Sequence, residues 1–345
     1  MAAQQQQVSE VSEQVAAGVE AEAANAALAA TIDQATAASQ ESVRQRYLFP
    51  FIALGAVQNH VRTQGIATAR SRIDEITAAW LALQPAIQQM QIDEAGLARS
   101  IQIGELSAEH AGVLEAIAAN PFFKKTFQQA QHAFAVVEID KMIATQRQIN
   151  LDYVARLRDS FTGQLDMGRL IEICLSPDSE PAPLKHLELS STPAVHAFTS
   201  ENADLRFLGS NMKELVPEDL TLAEQGGVPV MALISFIGFG ASSINAFFDV
   251  ARNRVILNNG YHRVYALRSI GVTHIPIVLM ISHNEAMHLP PIFPGGVPKD
   301  YVLNTPRPSL VLDLFRDDLT VELQVKKRIK KVIVQVSNAD HDVPV

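Results

Sequence analysis

The sequence predicts an α+β protein in two parts: a helical region over residues 44–175 and a small mixed-sheet domain over 184–345, behind a biased arm at 1–43. Three observations carry this reading. Apolar residues between Val57 and Leu157 recur at three- and four-residue spacing, the period of helices buried on one side. From Asn245 to Met280 the pattern changes to short apolar runs broken by Asn, Arg and Gly, in the order strand, turn, strand, glycine turn, helix, strand. Between the two parts, Ser176-Pro177-Asp178-Ser179-Glu180-Pro181-Ala182-Pro183 has the composition of a loop and marks the expected domain boundary. A fragment beginning near Pro183 is therefore expected to fold alone.

Composition narrows the function classes. A chain of 345 residues with 48% hydrophobic content can bury a sizeable core, and its length favours two units over one. The net charge is −9, a poor basis for gripping phosphates along DNA, so nucleic acid is not the expected partner. A single cysteine, Cys174, excludes an internal disulfide and fits a reducing compartment. No Lys or Arg precedes Arg44, which leaves no charged n-region for a signal peptide. The longest apolar stretch, Val228 to Phe248, is interrupted by Ser, Asn, Gly and Pro and does not read as a membrane span. A cytoplasmic protein without a membrane partner is the expectation.

Taken in order, residues 1–43 are rich in Ala, Gln and Glu, too poor in large apolar residues to offset the entropy of ordering. Arg44 to Leu54 is a dense apolar patch expected to pack on the neighbouring helices, with a partner-docking peptide as the alternative. Ile66, Ala69, Ile73, Ile76 and Trp80 keep helical spacing until Pro85. Ser107 opens a second helix that Asn120-Pro121 breaks, and Phe122 and Phe123 open a third carrying Phe127, Phe134, Val137, Ile139 and Met142. Asp152 to Leu170 also looks helical. Apolar stripes with Gln-rich outer faces fit a bundle, and they suggest a homo-oligomer unless every stripe faces one internal core.

Beyond the boundary, Leu187-Glu188-Leu189 reads as a short strand and His196 to Asn211 as polar and turn-rich. Pro217-Glu218-Asp219-Leu220 opens a helix, Val228 to Phe236 is a strand, and Ile237 to Ser243 is a glycine-rich connection that small residues would also let approach a phosphate. Asn258-Asn259-Gly260 supplies the positive φ of a sharp strand-to-helix turn, and Gly271 ends the helix that follows. In the first turn of that helix stand His262 and Arg263. Unpaired backbone N–H groups and the positive end of the helix dipole favour an anion there, and an imidazole and a guanidinium beside them suit a phosphate. Asn258, Asn259, Gly260, His262 and Arg263 are the candidate binding residues. His283 and His288 are five positions apart, not the four that would place both on one helix face, so no metal site is expected. The closing run from Leu319 to Val336 alternates around Lys326-Lys327-Arg328-Ile329-Lys330-Lys331 and reads as a hairpin or edge strand protected by lysines.

The run NNGYHRVYALRSIGVTHIPIVL resembles the G-x-H-R-x-x-A-x-x-x-x-G…I-P-V signature of the ParB/sulfiredoxin-like superfamily, through Gly260, His262, Arg263, Ala266, Gly271, Ile275 and Pro276. The resemblance covers roughly 205–282, under a quarter of the chain. It implies a ParB/sulfiredoxin-like fold and a nucleotide or phosphate group at the helix start, with ATP or CTP and Mg²⁺ as the cofactor class. It does not imply one activity, because members include DNA-partition clamps, nucleases, a sulfinic acid reductase and a serine kinase. Tyr261 stands where the reductase has its cysteine, and the Gly-Glu-Arg-Arg turn of the partition clamps is Gly-Tyr-His-Arg here. Three readings follow: a nucleotide- or phosphate-binding protein of unknown reaction, a non-catalytic scaffold in a larger assembly, or a nucleic-acid-processing protein. Asp249, Glu218, Asp219 and Glu285 are the carboxylates available to hold Mg²⁺ or act as base, and spacing alone selects none of them.

Overall fold

A computed structural model describes residues 41–176, 183–191, 194–201, 205–215, 230–240 and 242–337. The described residues open with β1 (Ser42–Leu48), α1 (Leu54–Gln64), α2 (Ala67–Arg70), α3 (Ile73–Asp93) and β2 (Ile103–Gly104). Then follow α4 (Ala111–Ala119), α5 (Pro121–Phe127), β3 (His132–Glu138), β4 (Ile143–Ala144), β5 (Gln148–Asn150), α6 (Leu151–Ser160) and α7 (Met167–Leu175). The next elements are β6 (Lys185–Ser191), β7 (Ala194–Ser200), β8 (Leu205–Leu215), β9 (Val230–Phe239), β10 (Asn245–Asp249), β11 (Arg254–Asn259), α8 (Tyr261–Ser269) and β12 (His274–Ser282). The chain closes with α9 (Glu285–His288), β13 (Ile292–Phe293), β14 (Val297–Pro298), α10 (Lys299–Asn304), β15 (Thr320–Lys326) and β16 (Lys330–Val336).

The central sheet has six strands in the order β2-β3-β12-β10-β11-β4. It is mixed: β10 runs parallel to β12 and β11 to β4, while β3 is antiparallel to β12 and β10 to β11. Ile275, Ile277 and Val278 of β12 are fully buried, which is why this strand reads as a continuous apolar run and not an alternating one. Pro276 costs the sheet no hydrogen bond on the β10 side, because β12 begins pairing with β10 only at Val278. Helices α4, α5, α7 and α8 supply Ile117, Phe123, Phe127, Leu170, Ile171, Leu175, Val264 and Leu267 to the main core.

This sheet corrects the expected two-part layout. Residues 44–175 hold α1 to α7 but are not a separate helical region: β3 pairs with β12 over seven positions from His274↔Glu138 to Met280↔His132, and β4 pairs with β11. Phe134 and Val137 belong to this strand, although their spacing from Phe127 also fits a helix. Both sides of the 176–183 loop therefore share one sheet. Ser42–His186 and Phe198–Ile333 form a single compact unit, and most of that loop lies outside the described residues. The second unit includes Leu187–Ala197 and Val334–Val336, whose strands belong to a three-stranded sheet of order β16-β7-β6.

Other expectations change locally. The apolar patch at Arg44 to Leu54 packs on the neighbouring helices as expected, through Tyr47, Phe49 and Ile52, but its first part, to Leu48, is β1, the middle strand of a sheet ordered β15-β1-β5. The apolar residues of α1 to α3, including Val57, Val61, Ile76 and Trp80, pack on Tyr47, Leu323 and Val325 of that sheet, so these stripes face an internal core. α3 continues past Pro85, which is exposed, so the carbonyl left without a donor faces water while Ile87 and Met90 hold the helix down. Residues 152–170 are two helices, each with a side-chain N-cap: the Asn150 side chain accepts from Tyr153 N–H and that of Asp166 from Arg169 N–H. Within His196 to Asn211, expected to be turn-rich, residues 196–200 belong to β7 and 205–211 to β8, and 202–204 lie outside the described residues. The strand expected at Leu187–Leu189 is present, and β15 is the edge strand ahead of the lysine cluster. The arm at 1–40 and the helix opening at Pro217 lie outside the described residues. Among the described residues no helix is long and apolar enough to cross a membrane.

Candidate functional site

The turn between β11 and α8 is built as its residues dictate. Gly260 has φ 96°, and a Cβ there would stand 2.7 Å from Cγ1 of Ile244, so both backbone and space require glycine. Asn259 accepts the Gly260 N–H through its own side-chain oxygen at 2.8 Å, and Asn258 donates to Asn245 Oδ1 at 2.8 Å. No side chain caps α8. At its far end, Gly271 has φ 93° and its N–H bonds to Arg268 O, while Val272 N–H bonds to Leu267 O. This is the paired closure that lets a helix end at a left-handed glycine.

Tyr261 points inward. Its hydroxyl donates to Leu257 O at 2.6 Å and accepts from Thr145 N–H at 2.8 Å, fastening the exit of β4 to the start of the helix. Burial pushes this phenol upward. Next to it, His262 Nε2 accepts the Asn150 N–H at 3.1 Å. Burial pushes the imidazole down to about 4, so it is neutral near pH 7, and accepting at Nε2 places its remaining proton on Nδ1. A neutral ring with an occupied acceptor brings no positive charge to a phosphate.

Arg263 has a structural assignment. It donates through Nη1 to Ile173 O at 3.0 Å and through Nη2 to Ser242 O. Ile173 O is one of the last-turn carbonyls of α7, which have no partner within their helix. The next carbonyls are met by the loop before β10: Ile244 N–H bonds to Cys174 O at 2.7 Å, Ser243 Oγ to Leu175 O at 2.8 Å and Ser242 Oγ to Ser176 O at 2.9 Å. Ser242 and Ser243 thus serve as the C-terminal cap of α7. Cys174 is buried beneath this cap and its thiol is pushed up to about 12, which makes it inert.

Residues the sequence reading did not select therefore complete the site: Thr145, Asn150, Ser242, Ser243 and Asn245. Asn150 carried a signal as the polar residue before the Leu151-Asp152 helix start. The others are placed by pairing across the fold. The carboxylates fall elsewhere. Asp249 is buried at the opposite end of β10 from Asn245, about 13 Å away at roughly 3.3 Å per residue. There Arg252 bridges it to Glu285, at 3.1 Å to Asp249 and 2.6 Å to Glu285. These two acids do not fit a Mg²⁺ ion at the start of α8, and Arg263 has no pair with Asp249. Glu218 and Asp219 lie outside the described residues. Among the described residues no three His, Cys, Asp or Glu side chains form a metal cluster. A cavity of about 370 Å³ is lined by Phe49, Arg72, Glu75, Ile76 and Asp317 among others, and none of its lining residues belongs to the 258–263 turn.

What the arrangement offers is positional. The parallel pair β4 and β11 runs in register to Ala144 and Leu257, and β11 continues to Asn259, directly before the first turn of α8. Ligands of open α/β sheets settle at such strand ends, and helix starts attract anions. Compared with known proteins, the chain matches no family model, no curated protein and no solved structure.

Proposed function

We propose that the chain binds a phosphate-bearing ligand of the nucleotide class at the turn Asn258–Arg263. The observation that carries this is the convergence of the β4 and β11 carboxyl ends on a helix start that no side chain caps. The ligand is met by the main-chain N–H groups of the first turn of α8 and by Asn258 and Asn259. His262 and Arg263 position the turn. ATP and CTP remain the candidate ligands, and no reaction is assigned.

The test is Asn259→Asp. It keeps the oxygen that accepts the Gly260 N–H and adds a negative charge where a helix start tolerates one, so the melting temperature stays level or rises. Calorimetry should show ATP, CTP or pyrophosphate binding to the wild type and at least a tenfold weaker affinity in the variant. Wild-type protein that binds none of them at millimolar ligand ends the proposal. A second reading, a non-catalytic scaffold, is favoured by the capping of α7 by Arg263, Ser242 and Ser243, which uses these side chains to hold the fold. It is the reading that remains if no ligand binds.

A further inference from the structure

Strands β8 and β9 form a two-stranded sheet of their own, and among the described residues neither pairs with a third strand. Ten registered positions run from Leu205↔Phe239 to Leu215↔Val230, a ribbon about 33 Å long at roughly 3.3 Å per residue. Residues directly opposite each other in an antiparallel pair share a face, and alternate positions along a strand return to it. Phe207 with Ile237, Ser210 with Ser235, Met212 with Leu233, and Glu214 with Met231 thus occupy one face, with the irregularity near Leu208 keeping Phe207 in phase. On that face Phe207, Met212, Met231 and Leu233 are about half exposed, at 49, 54, 54 and 53%. The other face mixes Ile234 and Phe236 with Asn211 and Lys213. An isolated hairpin is marginal in water, and a contiguous exposed apolar face marks an interaction surface.

We propose that this face binds the same face of a second copy of the chain, giving a two-fold dimer built on paired β8–β9 ribbons. The apolar positions are symmetric about the Ser210–Ser235 level, with Met212 and Leu233 on one side and Phe207 and Ile237 on the other. A two-fold axis there sets each apolar pair of one copy on the other pair of its mate, with the small serines at the crossing. Stacked sheets pack about 10 Å apart, so the second copy gives each ribbon a layer on its exposed apolar face. The chain's own terminal segments match the face poorly: residues 1–40 contain Val8, Val11, Val15, Val19, Leu28 and Ile32 as their larger branched residues, residues 338–345 contain only Val343 and Val345, and neither segment has a Phe, Tyr or Trp. At roughly 100 Å² buried by each of the four large side chains, two copies bury about 800 Å² through them, below the roughly 1,200 Å² at which stable specific interfaces begin and in the range of weak, transient ones. The expected dimer is micromolar.

Full-length protein is measured by light scattering or sedimentation from about 1 to 100 μM, the range in which a micromolar dimer dissociates. The mass should rise from 37.6 kDa toward twice that value. Met212→Glu with Leu233→Glu should hold the protein at monomer mass with unchanged circular dichroism, whereas Ile234→Glu on the opposite face should still dimerise. Because Cys174 is buried, Ser210→Cys supplies the one reactive thiol, which a bis-maleimide with a span of about 10 Å should cross-link from copy to copy by addition of each thiol to one maleimide. Three results would overturn the proposal: wild type remaining monomeric at 100 μM, a dimer that survives the double substitution, or a monomer that dimerises only after removal of residues 1–40. None depends on whether a phosphate ligand binds at the α8 turn.

Discussion

Lowering the pH should destabilise this protein through His262, and the effect can be sized. In the folded chain burial holds the imidazole at about 4, against an ordinary value of 6.5. Between those values the unfolded chain takes up a proton that the folded chain refuses, so stability rises with pH. The contribution is complete above pH 6.5 and is lost as pH falls toward 4. The difference of 6.5 − 4, about 2.5 units at 1.36 kcal/mol each, sets a ceiling of ~3 kcal/mol, of which ~2 kcal/mol is gone at pH 5. Urea unfolding of the wild type and of His262→Gln, from pH 7.5 to 5, measures it. Glutamine can still accept the Asn150 N–H but cannot be protonated there, so the difference between the two proteins removes all other titrating groups. The wild type should lose ~2 kcal/mol relative to the variant over that range. A flat difference would refute the reasoning, since it would mean that the folded protein admits a charged imidazole.

Three other substitutions or truncations test the frame around the site. Gly260→Ala should cost at least ~2 kcal/mol in chemical unfolding, because an L-residue at φ 96° is strained and its Cβ meets Ile244. Asp313→Ala should cost roughly 3–5 kcal/mol, because it leaves Arg307, fully buried and paired with Asp313 at 2.6 Å, without its enclosed partner; a loss under 1 kcal/mol would argue against this. The fragment 184–345, stripped of β3 and β4, should lack a cooperative thermal transition, and a sharp melt with dispersed amide resonances would disprove the shared sheet.

The legible part of the fold was the part made locally. Asn253 with φ 51°, Gly260 and Gly271 each have a conformation that few residues adopt, so β10, β11, α8 and β12 could be read from neighbours in the chain. β3 could not, because Phe127, Phe134 and Val137 fit helical spacing, and only pairing across the sheet, with β2 on one side and on the other with β12 more than 130 residues away, makes 132–138 extended. Pro85 misled in the opposite direction: proline weakens a helix locally, but the burial of Ile87 and Met90 overrides it. For the site, the turn was visible and its wiring was not. The Arg263 bond to Ile173 O spans 90 positions, and the His262 bond to Asn150 spans 112.

That wiring bears on what a G-x-H-R-type motif encodes. Gly260 supplies the turn, His262 holds the start of α6, Arg263 caps α7, Ala266 is fully buried, Gly271 closes α8, and Pro276 occupies the stretch of β12 that pairs only with β3. Each of these residues has a structural task that any chain building the same junction of strand, helix and strand would need done. The side chains suited to touching a ligand are thereby committed to carbonyls and N–H groups within the protein, and the groups left over at the helix start are main-chain amides. Main-chain amides select for a phosphate's charge and shape but not for a reaction. A junction of this kind can therefore stand in proteins of unrelated chemistry, and under the proposed reading any ligand specificity falls to side chains outside the motif, Asn258 and Asn259 at the turn first.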